Sequence, residues 1–134
     1  MLYSFRFLFF SVPLLLAVLG ACGPAPHGPV EATSDSGALS LLLTFDGPLG
    51  VGENELDLHV TDAHGSGVPG LTVTVTPHMP AHGHGASMPT TVHEMMDGHY
   101  HVMPNFQMTG LWELHFELDD GNTVETAVAN VTVE

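Results

Sequence analysis

The hydrophobic positions of this chain follow two different patterns, with the change near residue 38. Before it, a continuous apolar run occupies residues 7–19. After it, apolar residues cluster or alternate with polar ones in short segments: residues 40–45, 55–61, 71–76, 98–103, 111–118 and 123–133. A period of two residues is typical of strands with one buried face, so the second part is expected to consist of β-strands.

Turn-forming residues separate these segments, notably at residues 46–48, 65–67, 97–98 and 119–122. Glycine, proline, aspartate and asparagine favour tight turns, and the last of these turns is expected to close a hairpin. No window has a convincing helical period. We therefore predict that residues 38–134 form one all-β domain, an immunoglobulin-like β-sandwich of about seven strands. Another small β-barrel is the alternative that the same alternation allows.

The phase of two segments separates core residues from outward ones. In residues 98–103, Tyr100 and Val102 share one face and are the natural core residues. His99, His101 and Met103 share the other face and are expected to point outward. In residues 111–118 the apolar face begins with Trp112, which is expected to be a core residue.

Residues 77–89 contain three prolines and two glycines, which predicts a loop rather than a central strand. Met79 is expected to be exposed in this loop. His82 and His84 lie beside glycines, which allow the backbone to bend so that both imidazoles face one ion. Met95 and Met96 flank a turn, and strand phase is expected to turn one of them into the core.

Histidine and methionine are concentrated around this loop. Residues 78–108 hold six of the ten histidines and six of the seven methionines: His78, His82, His84, His93, His99, His101, Met79, Met88, Met95, Met96, Met103 and Met108. Thioether sulfur suits Cu(I), and imidazole suits Cu(II) or Zn²⁺. A patch with both donors is expected to bind copper in either oxidation state, with Cu(I) favoured.

The N-terminus indicates an exported protein. Arg6 precedes the 7–19 run, which is too short to span a bilayer and has the length of a signal-peptide core. The run ends at Leu19-Gly20-Ala21-Cys22, which resembles a bacterial lipobox. We predict a signal peptide over residues 1–21, lipidation of Cys22 and a flexible linker to residue 37. Gly23 favours the outer membrane, with the domain in the periplasm or at the cell surface.

Composition excludes several classes of function. Arg6 is the only basic residue, the formal net charge is −14, and removal of residues 1–21 lowers it by one more unit. Without lysine or arginine the mature chain cannot contact phosphates, so nucleic acid is excluded as a partner. Cys22 is the only cysteine, so no intramolecular disulfide can form. No nucleophile motif is present, and the chain is predicted not to be an enzyme.

Three motifs occur in the order found in one known family. They are Met79-Pro80-Ala81-His82-Gly83-His84, then Gly98-His99-Tyr100, then Met108-Thr109-Gly110-Leu111-Trp112. With them, residues 38–134 resemble the YtkA-like family of small secreted or membrane-anchored β-sandwich domains, and also the FixH-like group. The resemblance implies a periplasmic copper-handling domain, with Met79, His82, His84 and Met108 as candidate functional positions. It also implies a copper oxidase or a copper-transport protein as the partner.

The sequence thus predicts a lipid-anchored protein that buffers or delivers copper. The candidate ligands are His78, Met79, His82, His84, His99, His101 and Met108. His59, His64 and His115 are expected to be solvated surface histidines. The alternative function is a non-catalytic immunoglobulin-like interaction module without a physiological metal, and a zinc scavenger or sensor is a third possibility.

Overall fold

The computed structural model describes residues 28–85 and 90–134, and within them it contains eleven strands. In chain order these are β1 (Val30–Thr33), β2 (Leu39–Thr44), β3 (Gly52–Glu53), β4 (Leu56–Asp62), β5 (Thr72–Met79), β6 (His84–Gly85), β7 (Thr91–Met96), β8 (His99–Met103), β9 (Asn105–Phe106), β10 (Gly110–Asp119) and β11 (Val124–Val133). The described part of the chain contains no helix that is long and apolar enough to cross a membrane.

Two antiparallel sheets enclose one core. The first sheet has five strands in the order β1-β2-β4-β8-β7, and the second has four in the order β11-β10-β5-β6. The short strands β3 and β9 form a separate pair. Each main sheet directs alternate side chains into a shared apolar cluster, so the other face of each sheet points outward, in opposite directions. The predicted all-β sandwich is confirmed, with additional short strands beyond the expected seven.

Aromatic side chains fill the centre of this cluster, as their phase predicts. Trp112 and Tyr100 are buried, and Phe106 packs against Trp112 with ring centroids 5.3 Å apart. The indole Nε1 of Trp112 donates a hydrogen bond to the backbone oxygen of Met108 at 3.0 Å. Burying the indole without such an acceptor would cost free energy. The bond therefore holds the backbone of Met108 next to the indole at the edge of the core.

The Tyr100 hydroxyl ties the connection between the two sheets to the core. It donates to the backbone oxygen of Val68 at 2.8 Å and accepts from the backbone N–H of Leu71 at 3.1 Å. Burial raises the pKa of Tyr100, so the phenol remains protonated and able to donate. Residues 68–71 lead from β4 into β5, and this pair of bonds therefore helps to position the second sheet on the first.

The predicted flexible linker extends to residue 37, but the first strand of the domain already begins at residue 30. Residues 30–33 form β1, which pairs with β2 from Val30 opposite Leu43 to Thr33 opposite Ser40. The alternation in this segment is only four residues long, which is too short to stand out in the sequence. The predicted signal peptide over residues 1–21 and the lipidated Cys22 lie outside the described residues.

Strand β5 continues further than the prolines suggested. It includes Pro77, which lies opposite Leu114 of β10, and it ends at Met79. Among the described residues β6 lies beside β5 only at His78 and Met79, so most of that edge is open, where a proline is tolerated. Alternation then turns Met79 inward, where it is 2% exposed. The expectation that Met79 is exposed in a loop is therefore wrong.

A β-bulge changes the phase of strand β7. The register with β8 shifts between Glu94 and Met96, and the pairing resumes with Met96 opposite His99. One extra residue disrupts the simple alternation, so Met95 and Met96 are both exposed, at 65% and 68%. The expectation that one of these methionines faces the core is wrong for this reason.

Alanine substitutions at Gly98 and Gly121 distinguish two costs of adding a methyl group, namely backbone strain and steric overlap. Both have positive φ, 80° and 88°, but a Cβ at Gly98 would overlap the backbone nitrogen of Val68 and the backbone oxygen of Val60, whereas Gly121 has open space. We expect Gly121→Ala to destabilise the fold by about 1–2 kcal/mol through backbone strain. Gly98→Ala should cost about 1–3 kcal/mol more because the neighbouring backbone of Val60 and Val68 must shift. Chemical denaturation measures both values, and equal losses would contradict the close approach.

Candidate metal site

The β5–β6 hairpin brings the loop histidines to one end of the second sheet. His78 lies opposite Gly85, and Met79 lies opposite His84. The backbone N–H groups of His82 and Gly83 both donate to the carbonyl oxygen of Met79, at 3.2 and 3.1 Å. Gly83 has a φ of 65°, which glycine adopts without strain. The turn therefore places His82 in an exposed position just beyond the strand end.

Three outward side chains of the second sheet converge beside this hairpin. They belong to His78 on β5 and to Glu113 and His115 on β10. One ligand atom from each residue lies within 4.8 Å of the others. Glu113 is directly opposite His78 in the register, and His115 is two residues further along the same face of β10. We call these three residues the His–Glu–His cluster.

The carboxylate of Glu113 is at the centre of the cluster. Its Oε2 lies 2.9 Å from the Nε2 of His115 and 3.6 Å from the Nδ1 of His78. The two imidazole rings meet edge to face, with centroids 5.7 Å apart. The Nδ1 of His78 is buried yet has no hydrogen-bond partner. An unsatisfied buried nitrogen is costly, and a metal ion is one of the groups that can satisfy it.

The electrostatics of the cluster favour a charged carboxylate. A hydrogen bond from His115 is the largest cause that lowers the pKa of Glu113, and the charges of His115 and His78 act in the same direction. The carboxylate therefore remains ionised in mild acid, beside two imidazoles. Two nitrogen donors and one carboxylate oxygen form a donor set that suits Cu(II) or Zn²⁺.

Met79 and Met108 are close to this end of the sandwich but belong to its interior. Met79 lies in the core, and its Cε is 3.3 Å from the position that a Cβ on Gly110 would occupy. Met108 is half-buried and packs against the core. Met79 also lines a cavity of about 210 Å³ with Pro80, Ala81, His82, Thr109, Gly110 and Leu111.

His99 and His101 lie on the other side of the molecule. Both are on β8 in the five-stranded sheet and point away from the core, with His101 3.9 Å from the carboxylate of Glu55. Since β5 and β10 are in the opposite sheet, these histidines do not complete a site with His78. The seven candidate ligands are therefore not gathered at one position, because His99 and His101 lie on the sheet opposite His78.

The metal ligation itself remains a prediction for every candidate. The side chain of His84 and the whole of Met88 lie outside what the structure describes. Neither Glu113 nor His115 is a candidate ligand on the sequence alone, which predicts His115 to be a solvated surface histidine. The signal was available in the alternation of residues 111–118, which places Glu113 and His115 on one outward face. The sequence does not show, however, that β10 pairs with β5, the strand that carries His78.

The pKa of Glu113 tests the cluster before any metal is added. Carbon-13 NMR titration should give a pKa below the ordinary value, and His115→Val should raise it because the main donor is lost. A depressed pKa in the folded state stabilises the fold above the unfolded-state pKa, and this contribution disappears as the pH falls through the folded-state pKa. The control is Asp120, whose pKa is lowered by backbone N–H groups of Thr123 and Asn122 and should not respond. An unchanged pKa of Glu113 in the variant would contradict the contact.

The comparison with known families agrees with the motifs and the fold. The YtkA-like family matches residues 34–117, which is more than half of the chain and extends from the end of β1 into β10. No curated protein and no solved structure matches the chain. The match includes all three motifs, of which Met79, Tyr100 and Trp112 belong to the core described above. The chain belongs to the YtkA-like family.

Proposed function

We propose that this protein is a copper-binding lipoprotein of the bacterial cell envelope that buffers copper or passes it to a partner. The observation that carries the proposal is the His–Glu–His cluster, in which three donor atoms on two paired strands lie within 4.8 Å of one another. Sheet residues hold ligands more rigidly than a loop does, so this cluster is the best-defined binding position among the described residues.

Copper is favoured over zinc by the thioether donors elsewhere in the domain. The cluster alone suits either ion, but the 78–108 segment adds six methionines, and a thioether is a poor zinc ligand. Met95 and Met96 are largely exposed, so sulfur is available at the surface as well as in the core. The mature chain has no lysine or arginine, so no fixed positive charge opposes the approach of a cation.

Ligand exchange is the mechanism that this arrangement allows. The cluster lies on an open face lined by Thr76 and Glu117, so an incoming donor can reach a bound ion. His82 is exposed in the adjacent turn and offers a further imidazole nearby. A partner ligand can then bind the ion before the cluster releases it. The proposed partners are a copper oxidase or a copper-transport protein.

Histidine variants test the cluster directly. His78→Gln and His115→Gln should each weaken Cu(II) binding at least about tenfold, since second-shell partners alone are worth ten- to a hundredfold. The matched control is His64→Gln, which changes an exposed histidine in the turn after β4. Affinity is measured by competition with a chromophoric Cu(II) chelator. Equal affinity in wild type and both cluster variants would exclude the cluster as the site.

Acid should release Cu(II) from this site. Protons compete for imidazole nitrogen with a reference pKa of about 6.5, so apparent affinity is expected to fall steeply below that pH. Cu(I) held by thioether sulfur should be less sensitive, because methionine does not protonate. If protein purified without a histidine tag takes up neither ion more tightly than a weak chelator, the metal-free interaction module becomes the better explanation.

The lipid anchor is a separate part of the proposal. Mass spectrometry of the mature protein should find acyl chains on an N-terminal Cys22, and Cys22→Ala should remove both the acyl mass and the membrane association. Several acyl chains are needed for stable anchoring, because one gives only marginal binding. A mature wild-type protein without acyl mass would contradict the anchor and leave the metal proposal intact.

A further inference from the structure

The outer face of the five-stranded sheet carries a row of donor side chains that the His–Glu–His cluster does not include. The register places His59 of β4 opposite His99 of β8, and Met96 of β7 opposite the same His99. Residues directly opposite in a sheet point to the same face, with Cβ atoms roughly 4.5–5.5 Å apart. His59, His99 and Met96 therefore form a continuous row across three neighbouring strands.

The two imidazoles of this row are already in contact. The rings of His59 and His99 are stacked with centroids 4.0 Å apart and an interplanar angle of 4°. The stack holds the two rings face to face on the sheet surface, so that two imidazoles from neighbouring strands lie next to each other. Two rigid strands thus supply two imidazole donors without any loop.

The turn that follows β7 places Met96 beside His99. Met96 and His99 flank the two-residue turn Asp97-Gly98, whose φ angles are 49° and 80°. Positive φ at both turn residues is the pattern of the tight hairpin turn that matches the twist of paired strands. The bulge before Met96 sets its phase, so that Met96 is 68% exposed beside an exposed His99.

We propose that His59, His99 and Met96 form a second copper site, separate from the His–Glu–His cluster on the opposite sheet. Two imidazoles and one thioether combine the donors that suit Cu(II) with the donor that suits Cu(I). Of the two oxidation states of copper, the cluster, with a carboxylate in place of sulfur, suits Cu(II). The proposed copper function supplies the choice of metal here, while the site itself rests on the register of β4, β7 and β8.

The two sites assign different tasks to the two faces of the domain. Each has its own ligands on its own sheet, and the buried core separates them. The chain should therefore bind two copper ions, one at each face. The face with sulfur holds the reduced ion, and the face with carboxylate holds the oxidised one.

Silver(I), a redox-inert mimic of Cu(I), tests the row by NMR. In a titration of the whole domain, the first equivalent of Ag(I) should shift the ε-methyl resonance of Met96 and the ring resonances of His59 and His99. The ε-methyls of Met95 and Met79 should not move. A first equivalent that shifts another methionine and leaves Met96 unmoved would overturn the proposal.

Variants at adjacent positions give a matched comparison. Met96→Leu should weaken Cu(I) binding at least about tenfold in competition with bicinchoninate, because a ligand is lost. Met95→Leu changes an equally exposed methionine that does not lie opposite His99, and it should leave the affinity unchanged. Leucine nearly conserves volume, so neither change should unfold the domain. Equal affinities in the two variants would overturn the proposal.

A second pair of variants distinguishes this site from the cluster. His59→Gln should abolish the Ag(I) response of Met96 but retain the Cu(II) site of His78, Glu113 and His115. His78→Gln should have the opposite effect. Failure of the row with a functioning cluster would leave the proposed function intact, and failure of the cluster with a functioning row would leave this inference intact. Loss of Cu(I) binding in both variants would count against two independent sites.

Discussion

One shared core between two sheets is the constraint on which the rest of this domain depends. Each long strand must direct alternate side chains inward, and Trp112, Tyr100 and Phe106 occupy the centre of the resulting cluster. Burial of such aromatic surface dominates the stability of a small domain. Polar side chains on the same strands therefore have only the two outer faces available, and these faces point in opposite directions. The distribution of histidines follows from this packing and not from their positions along the chain.

The sequence was sufficient where a pattern is local. Alternation correctly placed Tyr100 and Val102 in the core and His99 outward, and the same argument gave Trp112. The Asp97-Gly98 turn was also visible. These features depend on residues that are close in the chain, where period and turn chemistry decide the outcome. The fold class and the family followed from the same local signals.

The sequence was insufficient where the outcome depends on strand partners. Met79 is buried because β5 continues through Pro77, which is acceptable on an edge that is open along most of its length. A bulge of one residue exposes both Met95 and Met96. His115 meets His78 because β10 pairs with β5 in one register. No local pattern reports the register between strands that are far apart in sequence. The sequence therefore predicts the types of donor residue at the candidate site, but not which residues come together there.

The start of β1 has a consequence for how the domain would face a membrane. β1 begins at Val30, which the register through β2 and β4 places level with Tyr100, and it runs antiparallel to β8, so the N-terminal end of β1 points towards the end of the sandwich where β8 finishes and β10 starts. The hairpin with His82 is at that same end. Seven residues separate Cys22 from Val30, a reach of about 25 Å when fully extended. With an acylated Cys22, this linker would keep the start of β1 within about 25 Å of the lipid headgroups, and the histidine hairpin would lie at the end of the sandwich towards which the N-terminal end of β1 points.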